Sequence, residues 1–453
     1  MRRPLLSALA LVALLAAGCS SSDSATPTPT PSPSLAATGS PTASPSASVT
    51  PSGSASPSAS VTPSPSGSYL GVKVPATITG LHVSGVQDGA WPDSNVPFGT
   101  LRLWDAGTNW SQVEAVKGKY NWKPLDTALK TAEANGVKDV LLVLGSTPTW
   151  NASRIKPGDY PVPGAASAPK SLAAWDAFVT AVVKRYAGRI SAYQIWNEAS
   201  LAMFWNGSPV KLAAMTKSAY DIIKSADPKA KVVAASTTVR LQGAFDRFFP
   251  QYLAALSDLG WPVDVISAHL YPASKGTTDE RAAFVESVQA DLAAANAPDL
   301  PVWDTELNYG LAGPGPTNPL QTIEGAQARD WVVQTALDSL HLGIARTYWY
   351  IWTPAPYPLL GMQLTNDSGA VKGLRVVDQW LVGSTWQGCV DDGAVVSCSV
   401  DKKGVPSLIA WAKNETGTFT PPADLTQACN TANKCTPVTG PIELTETPTR
   451  FTE

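Results

Sequence analysis

The sequence predicts an α/β protein built as one large (β/α)8 TIM barrel, followed by a small disulfide-containing β appendage. Three observations predict it. Short β-rich runs alternate with segments of helical periodicity, and eight such runs can be found. Polar and aromatic residues gather at the C-terminal ends of those runs, where a barrel places its mouth. No G-x-G-x-x-G or P-loop follows any run, which argues against an open nucleotide-binding sheet.

In chain order, the first segment is 1–19, MRRPLLSALALVALLAAGCS up to Cys19, with a basic start, an apolar stretch and small residues before the cysteine. These are the features of an export signal rather than of a spanning helix. The segment resembles a bacterial lipoprotein signal, which implies lipidation of Cys19, although Ala16 stands where Leu is usual. The other reading is ordinary cleavage and a secreted protein. Residues 20–68 are almost wholly Ser, Pro, Thr, Ala and Gly, a composition that cannot bury a core and reads as a disordered tether.

The catalytic-sized region is 69–383. Its strand candidates are TGLHVSG, TLRLW, KDVLLVLG, SAYQIW, AKVVAAS, VDVISAH, LPVWDTE and ARTYWYIW. Helical periodicity fills PLDTALKTAEANG, SLAAWDAFVTAVVKRYAG, KLAAMTKSAYDIIKSAD, RAAFVESVQADLAAANA and AQARDWVVQTALDSLHLG, several of which end in the Gly or Asn common at helix C-termini. At the strand ends sit Arg102 and Trp104, Ser146 and Trp150, Asn197 and Glu198, His269 and Tyr271, Glu306, and Trp352. Any one of these could be structural, but the set is too consistent in position to be chance.

Residues 384–453 lose the helical pattern, and TWQGC, AVVSCSV, SLIAWA and PIELTET read as short strands. Cys389, Cys398, Cys429 and Cys435 form an even set, with Cys19 the odd one. Pairing of Cys389 with Cys398 and of Cys429 with Cys435 is the simplest of three possible connectivities.

A formal net charge of −3 provides no basic field for nucleic acid. All 16 tryptophans follow the tether, which suits stacking on sugar rings, though many must simply pack the core. The histidines, His82, His269 and His341, are scattered without ligand spacing, so no metal or cofactor is expected.

Two glutamates at strand ends suit glycoside hydrolysis, which needs one carboxyl to protonate the leaving oxygen and another to meet the oxocarbenium-like centre. The residues Asn197-Glu198, Glu306, the pair His269 and Tyr271 in SAHLYP, and Trp352 resemble a retaining glycoside hydrolase of clan A. The stretch LRLWDAGTNWSQVEAVKGKYNWKPLD followed by STPTW looks most like family 39, whose members act on xylosides, iduronides and some bacterial exopolysaccharides. The resemblance implies Glu306 as nucleophile, Glu198 as acid/base with its carboxyl about 5 Å away, Asn197 on the 2-hydroxyl and Trp352 as an aromatic platform. Arg102 and Tyr271 would hold Glu306 charged, and His269 would orient a carboxylate or the sugar. Trp150, Trp205, Trp303 and Tyr309 are candidates for outer subsites.

The expected partner is a poly- or oligosaccharide, with no nucleic acid, a membrane contact only through the lipid, and a monomeric state. The competing readings are a sugar-binding lipoprotein without catalysis, a transglycosylase using the same residues, and a structural role in the cell wall. The sequence leaves the sugar, the linkage and endo or exo action open.

Overall fold

The computed structural model describes residues 69–413 and 415–453. The signal segment with Cys19 and the tether, residues 1–68, lie outside the described residues. The barrel strands are β1 (Thr79–Val83), β2 (Thr100–Leu103), β3 (Asp139–Leu144), β4 (Ala192–Ile195), β5 (Lys231–Val233), β6 (Ile266–His269), β7 (Val302–Leu307) and β8 (Ile344–Trp352). They pair in parallel in the order β5-β4-β3-β2-β1-β8-β7-β6. The two outer strands meet, because Ala234 donates its N–H to the Val265 carbonyl at 2.9 Å and Asp264 donates to that of Val232 at 2.8 Å. The ring is thereby closed.

The barrel interior is filled in layers, as parallel strands with alternating side chains require. The lowest layer contains Leu141, Ala192, Val233, Val265, Trp303 and Tyr348, packed as one apolar cluster. It is sealed from beneath by Arg346, which donates to Asp139 at 2.6 and 3.1 Å and lies 4.1 Å from the Trp303 ring. Tyr348 fits only because β1 offers Gly80 opposite it: a Cβ there would lie 2.3 Å from the ring. Above this layer the side chains turn polar, with Arg102, Gln194, Ser267, Thr305 and His82 buried together.

The connecting helices are α1 (Lys123–Ala134), α2 (Leu172–Tyr186), α3 (Pro209–Ala226), α4 (Gln242–Asp258), α5 (Thr278–Ala294), α6 (Gly325–His341) and α7 (Gly369–Trp380). Side-chain caps mark where several begin: Ser171, Ser208, Thr277 and Ser368 each accept from a backbone N–H in the first turn. Two departures from the periodic reading have local causes. Helix α4 carries Pro250 in its interior, a residue that ordinarily ends a helical pattern, yet its apolar face of Phe245, Phe249, Tyr252 and Leu256 is buried. Between β1 and β2 there is no full helix, only a 3-10 turn at Val86–Asp88.

After α7 come β9 (Thr385–Asp391), β10 (Val395–Lys402), β11 (Val405–Ala412), β12 (Thr416–Phe419), β13 (Gln427–Asn430), β14 (Cys435–Pro437), β15 (Ile442–Thr445) and β16 (Thr449–Thr452). Six of them form one antiparallel sheet, β14-β13-β16-β11-β10-β9, and β12 pairs with β15. The disulfides are the two local ones, Cys389–Cys398 between β9 and β10 and Cys429–Cys435 between β13 and β14. Trp386, Val400, Ile409 and Trp411 join the main core, so the sheet is packed on the barrel's flank. The chain entering the barrel is tied to it as well, since Gly71 donates to the Trp386 carbonyl at 2.8 Å.

Replacing Gly80 with Ala forces a methyl into the Tyr348 ring at the sealed end of the barrel. Overpacking of this kind costs about 1–3 kcal/mol. The variant should unfold at lower denaturant concentration than the wild type, with an unchanged slope of stability against denaturant.

Candidate active site

The site is assembled upward from Arg102. Its side chain is fully buried in the barrel centre and donates from all three of its nitrogens. Nε donates to Gln194 Oε1 at 2.9 Å, Nη2 to Asn197 Oδ1 at 2.8 Å and Nη1 to Glu306 Oε1 at 2.6 Å. Gln194 is held in turn, its amide donating to Ser267 Oγ at 2.8 Å and to Thr305 Oγ1 at 3.2 Å. One cation from β2 therefore aims residues of β4 and β7 at the same space.

Glu306 has a second partner, the Tyr271 hydroxyl, which donates to Oε2 at 3.0 Å. Burial pushes the Glu306 carboxyl up from its ordinary value, and the guanidinium of Arg102 opposes that shift. Glu198 lies across the cleft and sits at the edge of allowed backbone, with φ of 43°. Its Oε1 accepts from Thr238 Oγ1 at 2.8 Å and lies 3.1 Å from His269 Nδ1. Burial raises this carboxyl too, against the Thr238 hydroxyl and the fields of Arg240 and Arg102, and no cation touches it directly. The Glu198 side chain is 14% exposed and that of Glu306 8%, so Glu198 has the better access to solvent.

His269 stands between the two, its Nδ1 3.5 Å from Glu306 Oε2. Burial, the largest cause, depresses its pKa to about 3, so the ring is neutral near pH 7. Nε2 is buried without a partner among the described residues, so the single proton belongs on Nδ1, where Glu198 Oε1 accepts it. One atom from each of Glu198, His269 and Glu306 falls within 4.8 Å of the others. That is also the geometry of a metal-ligand trio, which the scattered histidine spacing did not reveal. The charge a cation would meet there is already balanced by Arg102 at 2.6 Å.

The cleft is lined by Trp104, Asp105, Asn197, Glu198, Phe204, Arg240, Tyr271, Glu306, Tyr350 and Tyr357, with Leu201, Met203, Leu311 and Leu359. The aromatic side chain that β8 turns into it is Tyr350, not Trp352. The expected platform is thus displaced by two residues: Trp352 ends β8 with its indole N–H on Asn366 Oδ1 at 2.9 Å and is outside the cleft lining. Trp150 is not brought to the cleft either. Its N–H donates to the Glu114 carbonyl at 2.8 Å and its ring meets Trp110 edge-on. Trp205 packs on Trp196, Trp303 lies in the lowest barrel layer, and Tyr309 bonds Thr335 at 2.7 Å in the core.

Several residues of the cleft carry no signature in the sequence. Tyr350 donates to Asp105 Oδ2 at 2.7 Å, while Asp105 Oδ1 has no partner among the described residues; burial raises this carboxyl to about 6. Thr238 and Arg240 come from the segment after β5, AASTTVR, whose polar run matches no motif. Ser267 and Gln194 read as ordinary strand residues.

The profile of the family described as Glycosyl hydrolases family 39 matches residues 102–353. The chain is 26% identical over 199 residues to a beta-xylosidase of Caldicellulosiruptor saccharolyticus, a match covering 40% of this chain and 38% of that relative. The fold resembles a family 39 glycoside hydrolase from Bacteroides cellulosilyticus WH2, with a TM-score of 0.62, 18% identity, and 83% of this chain and 81% of that chain covered. It also resembles a GH39 beta-xylosidase from Caulobacter crescentus, with a TM-score of 0.59, 14% identity, and coverage of 86% and 97%.

Because His269 binds its proton more weakly folded than unfolded, its contribution to stability is present above pH 6.5 and is lost as pH falls towards about 3. Unfolded His269 takes up a proton in that window and the folded ring does not. His269→Gln, which cannot take one up, should therefore lose less melting temperature than the wild type between pH 7 and pH 5. Thermal scans of both proteins at the two pH values check this.

Proposed function

The chain belongs to glycosyl hydrolases family 39, and from that premise we propose that it is a retaining O-glycoside hydrolase acting on a poly- or oligosaccharide. The observation that carries the reading is the pair of facing carboxyl groups, with an oxygen of Glu198 and one of Glu306 within 4.8 Å. Retaining glycosidases bring their carboxyls to about 5–5.5 Å, whereas inverting ones leave room for a water between them.

In the first step an oxygen of Glu306 bonds to the anomeric carbon as the bond from that carbon to the leaving oxygen breaks. Glu198 gives its proton to the leaving oxygen. In the second step water attacks the same carbon, Glu198 takes the proton from that water, and the Glu306 carboxylate departs. Arg102 and Tyr271 suit a nucleophile that must stay ionised, since each donates to a different oxygen of Glu306. Glu198 suits the opposite need, because burial favours its protonated form and no cation contacts it. Asn197, held through its carbonyl oxygen by Arg102, has its amide N–H2 free to donate to a sugar hydroxyl. Tyr350 supplies an aromatic wall beside Glu306.

We further propose that residues 1–19 export the protein and that Cys19 is lipidated, holding the barrel on the outer face of the cell membrane by the tether of residues 20–68. The composition of both segments supports this. Cys19→Ser should move the protein from the membrane fraction to the medium, as read by detergent partitioning and immunoblotting; a variant that stays in the membrane fraction overturns the anchor.

Incubation of the domain from Tyr69 onward with xylan, β-glucans, arabinans and the host's own surface polysaccharide should release sugars whose anomeric configuration, read by NMR, matches the substrate at first. Glu306→Ala should abolish release. Glu198→Ala should reduce it by about 10²–10⁴-fold, with the loss smaller for an aryl leaving group that needs no protonation. Release that survives Glu306→Ala, or product of inverted configuration, defeats the two-glutamate reading.

A further inference from the structure

Arg240 is a guanidinium at the mouth of the barrel that meets no acid among the described residues. Arg102, Arg281 and Arg346 each pair with a carboxylate, at 2.6 Å to Glu306, 2.9 Å to Asp304 and 2.6 Å to Asp139. Arg240 lines the cleft, and among the described residues its one hydrogen bond runs from Nη2 to the Gly313 carbonyl at 2.8 Å. Nε and Nη1 are buried and have no partner. The ring centroid of Tyr271 lies 5.8 Å from its Cζ. A half-buried cation whose covered donors are unused is costly to fold around, because the lost hydration of those donors is not replaced.

We propose that Arg240 forms an anion-recognising subsite for an acidic sugar on the leaving-group side of the cleft. The side is set by Thr238, two residues earlier, which bonds Glu198 at 2.8 Å, so Arg240 lies beyond the carboxyl that faces the leaving oxygen. That assignment rests on the acid/base role proposed for Glu198; the capture of an anion does not.

The chemistry of the pocket points to a sugar-borne group rather than a free inorganic ion. Around Arg240 the walls are apolar, with Leu241, Leu311, Ala312 and Leu359. Such walls cover the ring of a sugar while the guanidinium takes its charge. A planar fork offers paired N–H groups to a carboxylate, as in a hexuronate, and can equally serve a sulfate ester. The shared requirement is a single negative group at the edge of a pyranose. Glu198 and Glu280 act on Arg240 only through their fields, without a hydrogen bond or ion pair among the described residues, and burial holds the Glu198 carboxyl towards the neutral form.

The test is calorimetric titration of the domain from Tyr69 onward with glucuronate, galacturonate and glucose 6-sulfate, beside glucose and galactose, at low salt. Wild type, Glu306→Gln, Arg240→Gln and Arg240→Lys are compared after their folding is checked by circular dichroism. Acidic sugars should bind at least about tenfold more tightly than their neutral counterparts, as expected for one charged hydrogen-bonded contact of 1.5–3 kcal/mol. Arg240→Gln should erase that difference, Arg240→Lys should retain part of it, and added salt should shrink it in the wild type. The stronger of the uronate and the sulfate ester identifies the natural charge. Glu306→Gln should keep the preference, so loss of hydrolysis and loss of anion binding are read separately. Equal binding of acidic and neutral sugars by the wild type, or an acidic preference that survives Arg240→Gln, overturns the proposal.

Discussion

The arrangement of the mouth depends on one buried cation. Arg102 projects from β2 into the barrel axis and ties β2 to β4 through Gln194, to the loop after β4 through Asn197 and to β7 through Glu306. A guanidinium can do this because its five donors lie in a fixed plane; a lysine at the same place would offer a point charge and lose the register between the three acceptors. The dehydration of such a group costs several kcal/mol, and only the close carboxylate and the full set of neutral acceptors offset it. The polar middle layer of Gln194, Ser267 and Thr305 follows from that demand. In this sense the barrel's interior is organised to keep one arginine in place, and the arginine in turn keeps Glu306 in place.

The same cation separates two carboxyls that burial alone would treat alike. Both Glu198 and Glu306 are raised by desolvation, and two like charges within 4.8 Å resist joint ionisation. The donors are divided unequally between them. Glu306 has Arg102 and Tyr271, while Glu198 has a hydroxyl from Thr238 and a share of the His269 N–H. The shared proton is therefore better placed on Glu198, the more accessible of the pair. His269 donates to Glu198 from a ring that burial keeps neutral, so it adds no positive charge between the two carboxyls.

Much of this could be read in the sequence because barrel strands end where the chemistry is. Asn197, Glu198, His269, Tyr271, Glu306 and Arg102 converge, since each closes or nearly closes a β-rich run and the topology brings strand ends to one mouth. The aromatic platform was less legible. ARTYWYIW places Tyr348, Tyr350 and Trp352 at alternate positions, and the pattern does not disclose how deep in the barrel each lies; the structure puts Tyr348 in the lowest layer and Tyr350 in the cleft. Trp150 misled for a related reason, since a tryptophan after a strand can equally pack against Trp110. Helix α4 was obscured by Pro250. Asp105, Thr238 and Arg240 were illegible because polar residues in the segments that follow a strand have no periodicity and here match no motif.

The polar groups at the centre of the closed end and those lining the cleft are satisfied to different degrees. At the closed end Thr100, Asp139, Arg346 and Tyr348 bond one another, so the polar groups there complete their own network. At the open end Asp105 Oδ1, His269 Nε2 and two nitrogens of Arg240 are buried without partners among the described residues. Each such orphan costs roughly 1–3 kcal/mol relative to a paired group. A fold selected for stability alone would replace these side chains with apolar ones of similar volume, as the leucines and alanine beside Arg240 indicate the site could accommodate. Their grouping in one cleft fits the proposed binding, since unpaired groups are tolerated where a ligand completes them.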